Sequence, residues 1–299
     1  MQTTNNQTPL HKIMQFFLTK MVIGVSVIVL LVACIEWLRA PLLDKINLPA
    51  DSKALIVAIT EASIALAGYI FLFRWYEKRR IRELSAASLP YNAISGFTTG
   101  LLLQALFIFA ICIRGAFLLA GMNPFSVLID PLAFALTAGF VAEIIIIGIV
   151  FRLLEQQIGT GFSVIAFIIL FALLHINMKG ATIISVGATA MQAGLLLPAA
   201  YVYSRSLWLP IFLHFGWDFS EPGIFGCINP SSSLTQGLLK GRISGDPLLT
   251  GGELGPQNSL TSLVLCFIVG LMFLILAKRI RNWIKPFWRT TAPQAIEAH

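Results

Sequence analysis

Four side chains in strongly apolar stretches of this 299-residue chain are able to do chemistry: Glu143, His175, His214 and Asp218. An ionisable group at bilayer depth costs at least a few kcal/mol, so each one found there carries a functional expectation. The other two histidines, His11 and His299, lie in the tails. His214 and Asp218 are four residues apart and share a helix face. Histidine beside carboxylate suits direct general-base activation of water or a metal-bound water, and both are routes to peptide hydrolysis. The two imidazoles, His175 and His214, are the metal-ligand candidates if a divalent metal such as zinc is used. The blander reading is that each polar group ties two helices together by a hydrogen bond. That reading is kept for Glu61, which sits on another segment with no evident partner, and for the amides Gln192 and Asn177.

The elements that must position these groups follow from composition. Hydrophobic residues make up 57% of the chain and charged residues 12%, with a mean hydropathy of +0.82, which excludes a soluble globular domain. Eight candidate spans can be read, at 21–38, 54–75, 96–113, 128–152, 161–178, 181–203, 207–225 and 260–277. Their apolar runs are continuous, without the period-two alternation of a membrane barrel, so each must satisfy its backbone as a helix. The expected fold is all-α, a polytopic membrane helical bundle. At 1.5 Å rise per residue the four candidate groups fall within about 10 Å of one another in depth. The expected organisation is N-terminal helices over 1–127, a core carrying the chemistry over 128–225, an extramembrane loop over 226–259, and a last helix with a basic tail over 260–299.

Cys34, Cys112, Cys227 and Cys266 have neither CxxC nor Cys/His ligand spacing, so no disulfide framework or zinc finger is encoded. The net charge of +7 comes from basic residues beside the spans, which makes lipid headgroups the expected partner rather than nucleic acid. With the N-terminus inside, 14 of the 21 Lys and Arg fall on the cytoplasmic side, so both termini are expected there. Leu31-Val32-Ala33-Cys34 is similar to a lipoprotein cleavage box, but Ile35, Trp37 and Leu38 continue the apolar run, and an uncleaved anchor helix is expected.

Phe171-Ala-Leu-Leu-His175 and His214-Phe-Gly-Trp-Asp218, with Phe151-Arg-Leu-Leu-Glu155, Gly159-Thr160 and Ser206 to His214 around them, resemble a known family. It is the CAAX protease and bacteriocin-processing family of intramembrane peptidases, also called the CAAX prenyl protease 2 or Abi family, and the resemblance covers about residues 128–225. The family's motifs are Glu-Glu-x-x-x-Arg, Phe-x-x-x-His and His-x-x-x-Asn or His-x-x-x-Asp. The resemblance implies an intramembrane endopeptidase with Glu143, His175, His214 and Asp218 in its site, acting on a peptide or transmembrane segment, with a bacterial inner membrane as the expected location. It also implies that the first glutamate activates water, while the histidines and Asn/Asp position it or stabilise the oxyanion, in some proposals with a metal. Here Ala142 and Ile147 replace that glutamate and the arginine. Ala142 cannot activate water, and Glu143 lies about 100° further round an α-helix. Arg152, five residues past Ile147, is on another face. Losing both charges together avoids an uncompensated buried ion. The alternatives are a catalytically silent homologue that binds peptides or membrane segments, and a proton-coupled transporter, which the lack of an internal repeat disfavours.

Overall fold

In lipid a helix is the local way to satisfy every backbone group, and the described part of this chain is mostly helical. The computed structural model describes residues 16–43, 45–227, 234 and 236–289; His11, His299 and residues 228–233 of the expected loop lie outside them. The elements are α1 (Phe17–Leu43), α2 (Ala50–Tyr76), α3 (Leu89–Cys112), β1 (Phe117–Met122), α4 (Ile129–Leu136), α5 (Arg152–His175), α6 (Ile183–Thr189), α7 (Leu197–Ser204), α8 (Trp208–Phe219), β2 (Leu239–Ile243) and α9 (Leu260–Arg279). α1 runs unbroken through Cys34. Among the described residues six helical stretches are long and apolar enough to cross a membrane, one of them the 51-residue run Phe125–His175.

That long run is folded back on itself. Straight, it would be about 76 Å long at 1.5 Å per residue, more than twice a hydrocarbon core. Gly159 breaks it with φ 78 and ψ 164, a left-handed backbone that costs glycine little. Phe151 and Phe167, eight residues to either side of Gly159, therefore meet edge to face with centroids 5.0 Å apart. The expected spans 128–152 and 161–178 are the two arms of this hairpin.

The first arm is not a regular α-helix. Thr137–Ala142 and Ile144–Phe151 are π-helical, with Glu143 between them, and further π-helical segments occupy Ala190–Leu196 and Ser220–Ile224. A π turn bonds i to i+5, so it packs more residues per turn and shifts the phase of the residues beyond it. Between α5 and α6 the chain turns and restarts on a reciprocal cap: the Thr182 hydroxyl accepts from the Ser185 N–H at 3.1 Å, while Ser185 Oγ accepts from the Thr182 N–H at 2.7 Å. Asn177, read from the sequence as a helix–helix tie, is exposed in this turn.

α8, the helix of His214, lies against α3 at backbone contact distance. A methyl group at Gly96 would stand 2.6 Å from the Leu209 carbonyl oxygen, and one at Gly100 would stand 2.3 Å from that of Leu213. This small-x-x-x-small stripe permits close approach where helices gain by packing and not by leaving water. Phe97 with Phe215, and Phe140 with Phe212, fill the seams beside it.

The loop over 226–259 was expected to be irregular. It instead contributes β2, which pairs antiparallel with β1 in the register Phe117 with Ile243 and Leu119 with Gly241. β1 falls in a stretch read as a connection after the third span. Its partner is more than a hundred residues further along the chain, so only the folded topology brings the two together.

Below the bundle, the turn after α2 folds into an ionic cluster. Arg79 pairs with Glu77 at 2.5 Å and Glu83 at 2.6 Å, and the Tyr69 hydroxyl donates to Glu83 at 2.7 Å and to the Gly148 carbonyl at 3.0 Å. Arg152 reaches Glu77 at 2.9 Å, so its guanidinium serves this cluster.

Candidate active site

The π-helical arm brings Glu143 to His214. Glu143 is 1% exposed, and its Oε1 lies 2.9 Å from His214 Nδ1; the second ring nitrogen, Nε2, is 3.3 Å from Asp218 Oδ2. A carboxylate accepts and does not donate, so the imidazolium, which donates from both nitrogens, satisfies both contacts. The expected i,i+4 pairing of His214 and Asp218 is thus extended by Glu143 from a separate helix. Glu143 Oε2 is buried and has no hydrogen-bond partner.

His175 has a different environment. Its Nδ1 lies 2.8 Å from the Phe171 carbonyl oxygen, one turn back on α5, and its ring stacks on Phe171 at 6.2 Å. A carbonyl oxygen only accepts, so Nδ1 carries a proton, and in the neutral ring Nε2 is the nitrogen with the free lone pair. His175 and His214 line one cavity of about 230 Å³, together with Gln192 and Gln257. A second compartment of about 100 Å³ is lined by Glu143, His214, Asp218, Trp217 and Gln257. Glu143, His214 and Asp218 are thus in direct contact, and His175 lines the neighbouring cavity, which shares His214, Gln192 and Gln257 with theirs.

The metal alternative fits these residues poorly. Among the described residues no three His, Cys, Asp or Glu side chains gather as a ligand set. Both nitrogens of His214 face carboxylates, and one nitrogen of His175 faces the backbone.

Residues outside that reading also build the site. Glu221, one turn beyond Asp218, is buried and accepts from Gln104 Nε2 at 2.6 Å. Gln257 arrives from the segment before α9, where Trp217 Nε1 donates to its side-chain oxygen at 3.0 Å. Glu221 was legible as an acid inside a span; Gln257 carried no local signal. Glu61 stays a structural group, its Oε2 accepting from the Thr137 hydroxyl at 2.8 Å. Gln192 joins its helix to the strap before α9 through the Gln257 carbonyl and the Ser262 hydroxyl, the latter at 2.7 Å. The flanking motif residues are structural: Glu155 pairs with Arg205 at 2.7 Å and accepts from the Thr160 hydroxyl at 2.5 Å, holding the Gly159 corner.

The model of the type II CAAX prenyl endopeptidase Rce1-like family matches residues 124–220, a segment that begins just before α4 and ends just past α8, and so contains Glu143, His175, His214 and Asp218. Residues 124–220 are similar to this family. The Rce1-like segment thus holds the hairpin around Gly159, three of the π-helical stretches and the first residue of the fourth, and both histidines. Gln257 and the strap that carries it lie outside the Rce1-like segment. No curated protein and no solved structure matches the chain.

Proposed function

We propose that this chain is a membrane-embedded endopeptidase in which His175 takes the proton from the attacking water. The observation that carries this is the 2.8 Å contact of His175 Nδ1 with the Phe171 carbonyl oxygen, which leaves Nε2 of the neutral ring as the acceptor in a cavity that His214 also lines. Water bound there loses its proton to His175 as its oxygen attacks a peptide carbonyl, and His175 returns that proton to the departing amine. The His214 imidazolium, oriented by Glu143 and Asp218, offsets the negative charge that grows on the carbonyl oxygen. Ala142 supplies no carboxylate to assist the base, which sets turnover below that of a site with glutamate there by about 10²- to 10⁴-fold. No step in this scheme uses a metal.

The substrate we assign is a peptide or transmembrane segment entering from the bilayer, with prenylated CAAX peptides the class that the matching family's description names. Membrane lipids are the other partner, met by the basic residues beside the helices. Both termini are assigned to the cytoplasmic side of a bacterial inner membrane, on the distribution of Lys and Arg.

The experiment is proteolysis by the purified protein in liposomes, with a prenylated CAAX peptide and a transmembrane reporter peptide as substrates. Slow cleavage is expected, falling by about 10²-fold or more in His175→Ala and in His214→Ala. Peptide binding without cleavage would favour the catalytically silent homologue, the reading that Ala142 and Ile147 support. Proton-coupled uptake of a small solute without cleavage would favour a transporter.

A further inference from the structure

The site is closed by a strap that the family segment does not contain. Between the single turn Pro247–Thr250 and α9, residues 251–259 run over the cavity, and four separate elements hold them. Gln192 Nε2 donates to the Gln257 carbonyl, Trp217 Nε1 donates to Gln257 Oε1, and the Thr189 hydroxyl donates to Asn258 Oδ1 at 3.2 Å, while the Gln257 backbone N–H faces the Glu221 carboxylate. Glu221 is itself held by Gln104. Gly255 has φ 85, and a methyl group there would stand 2.9 Å from Glu221 Oε1, so the strap lies directly on that carboxylate.

These anchors orient one side chain completely. An indole N–H only donates, so the Gln257 atom facing Trp217 is the oxygen, and the amide NH2 is turned the other way. Among the described residues that NH2 has no hydrogen-bond partner. Gln257 lines both compartments of the cavity, with His175 and His214 in one and with Glu143, His214 and Asp218 in the other. The remaining polar groups there leave a gap: both nitrogens of His214 are engaged by carboxylates, and Asp218 and Glu143 can only accept when ionised. The His214 imidazolium supplies charge beside the carbonyl oxygen, but the oxyanion of a tetrahedral intermediate also takes a hydrogen-bond donor about 3 Å away.

We infer that Gln257 is that donor, its Nε2–H binding the carbonyl oxygen of a peptide substrate and the oxyanion it becomes. This rests on the endopeptidase reading for its catalytic consequence. The bond from water oxygen to the carbonyl carbon forms, the C–N bond breaks, and the proton travels through His175; Gln257 forms and breaks only hydrogen bonds.

The test is kcat and KM for a prenylated CAAX peptide in liposomes, for the native protein, Gln257→Glu and Gln257→Met. Gln257→Glu keeps an acceptor for Trp217 and nearly the same size but has no donor; Gln257→Met keeps the volume without adding charge. Both are expected to lose about 10²- to 10³-fold in kcat, with KM within about threefold; Gln257→Met also leaves the Trp217 indole N–H without its acceptor, so kcat is compared well below each variant's thermal midpoint. Native-like kcat in Gln257→Met would overturn the inference while leaving the endopeptidase reading intact. If the native protein cleaves nothing, the endopeptidase reading fails, and the inference is decided by infrared spectroscopy of the same peptide carrying 13C at the prenyl-cysteine carbonyl. A downshifted carbonyl band that reverts in Gln257→Met supports the donor role; a band unshifted in the native protein overturns it.

Discussion

Ala142 is half-buried, whereas Ile147 is fully buried in the central apolar cluster with Ile144, Ile149 and Phe151. The two replacements are therefore not equivalent, although the sequence suggests a matched loss of two charges. Ala142→Glu is expected to fold and to raise peptide turnover by about 10²-fold or more, measured in liposomes. Adding Ile147→Arg drives a guanidinium into a packed apolar site and is expected to cost about 3–5 kcal/mol, read as a lowered thermal midpoint. His175, His214, Glu143 and Asp218 stood out in the sequence because charge in an apolar run is conspicuous. Gln257 did not, since an amide in a Gly- and Pro-containing loop resembles any other loop residue until packing turns it over the two histidines.

Helix contact sets where the candidate site can sit. At Gly100 a methyl group would meet the Leu213 carbonyl oxygen at 2.3 Å, next to His214, and backbone cannot give way as a flexible side chain does. Gly100→Ala is expected to separate α3 from α8, costing about 1–3 kcal/mol in a thermal melt and lowering activity with it. The cluster below the bundle predicts a pH response. Burial pushes the Glu83 carboxyl up, and the hydrogen bonds and charge of Arg79 more than reverse this, so Glu83 titrates below the usual carboxylate range. A lowered folded-state value means that the pair stabilises the protein above the unfolded carboxylate value, near 4.3, and that this is lost as pH falls through the folded value. The thermal midpoint of the native protein is expected to drop on acidification below about pH 4, and that of Glu83→Gln to start lower and respond less. The π-helical segments were invisible beforehand because Ile144–Phe151 is apolar all round, and a helix without a polar face has no phase from which to read its pitch.

For the whole molecule the open question is which way it faces. Cys34 and Cys112 are exposed on the protein surface and would react first, so labelling needs a background in which both are serine. Single cysteines placed at Gln2 and Ala298 are then expected to stay unlabelled on intact cells, while one at the exposed Glu253 labels. Labelled tails and a protected Glu253 position would invert the topology and place the strap on the cytoplasmic side.

Composition alone determined the solvent and hence the fold class: with 12% charged residues and long apolar runs, only intrachain backbone hydrogen bonding is available, and helices result. Local motifs likewise determined which side chains could react, because His214 and Asp218 at i,i+4 share a face in any helix. Tertiary structure decided what those side chains face. It turned Glu143 onto His214 across two helices through a pair of π-helical segments, paired β1 with β2 across the bundle mouth, and carried Gln257 back over the cavity on a strap. Each of these depends on contacts between residues dozens to more than a hundred positions apart, whose closure is fixed by the packing of the whole bundle and leaves no periodic trace in the chain.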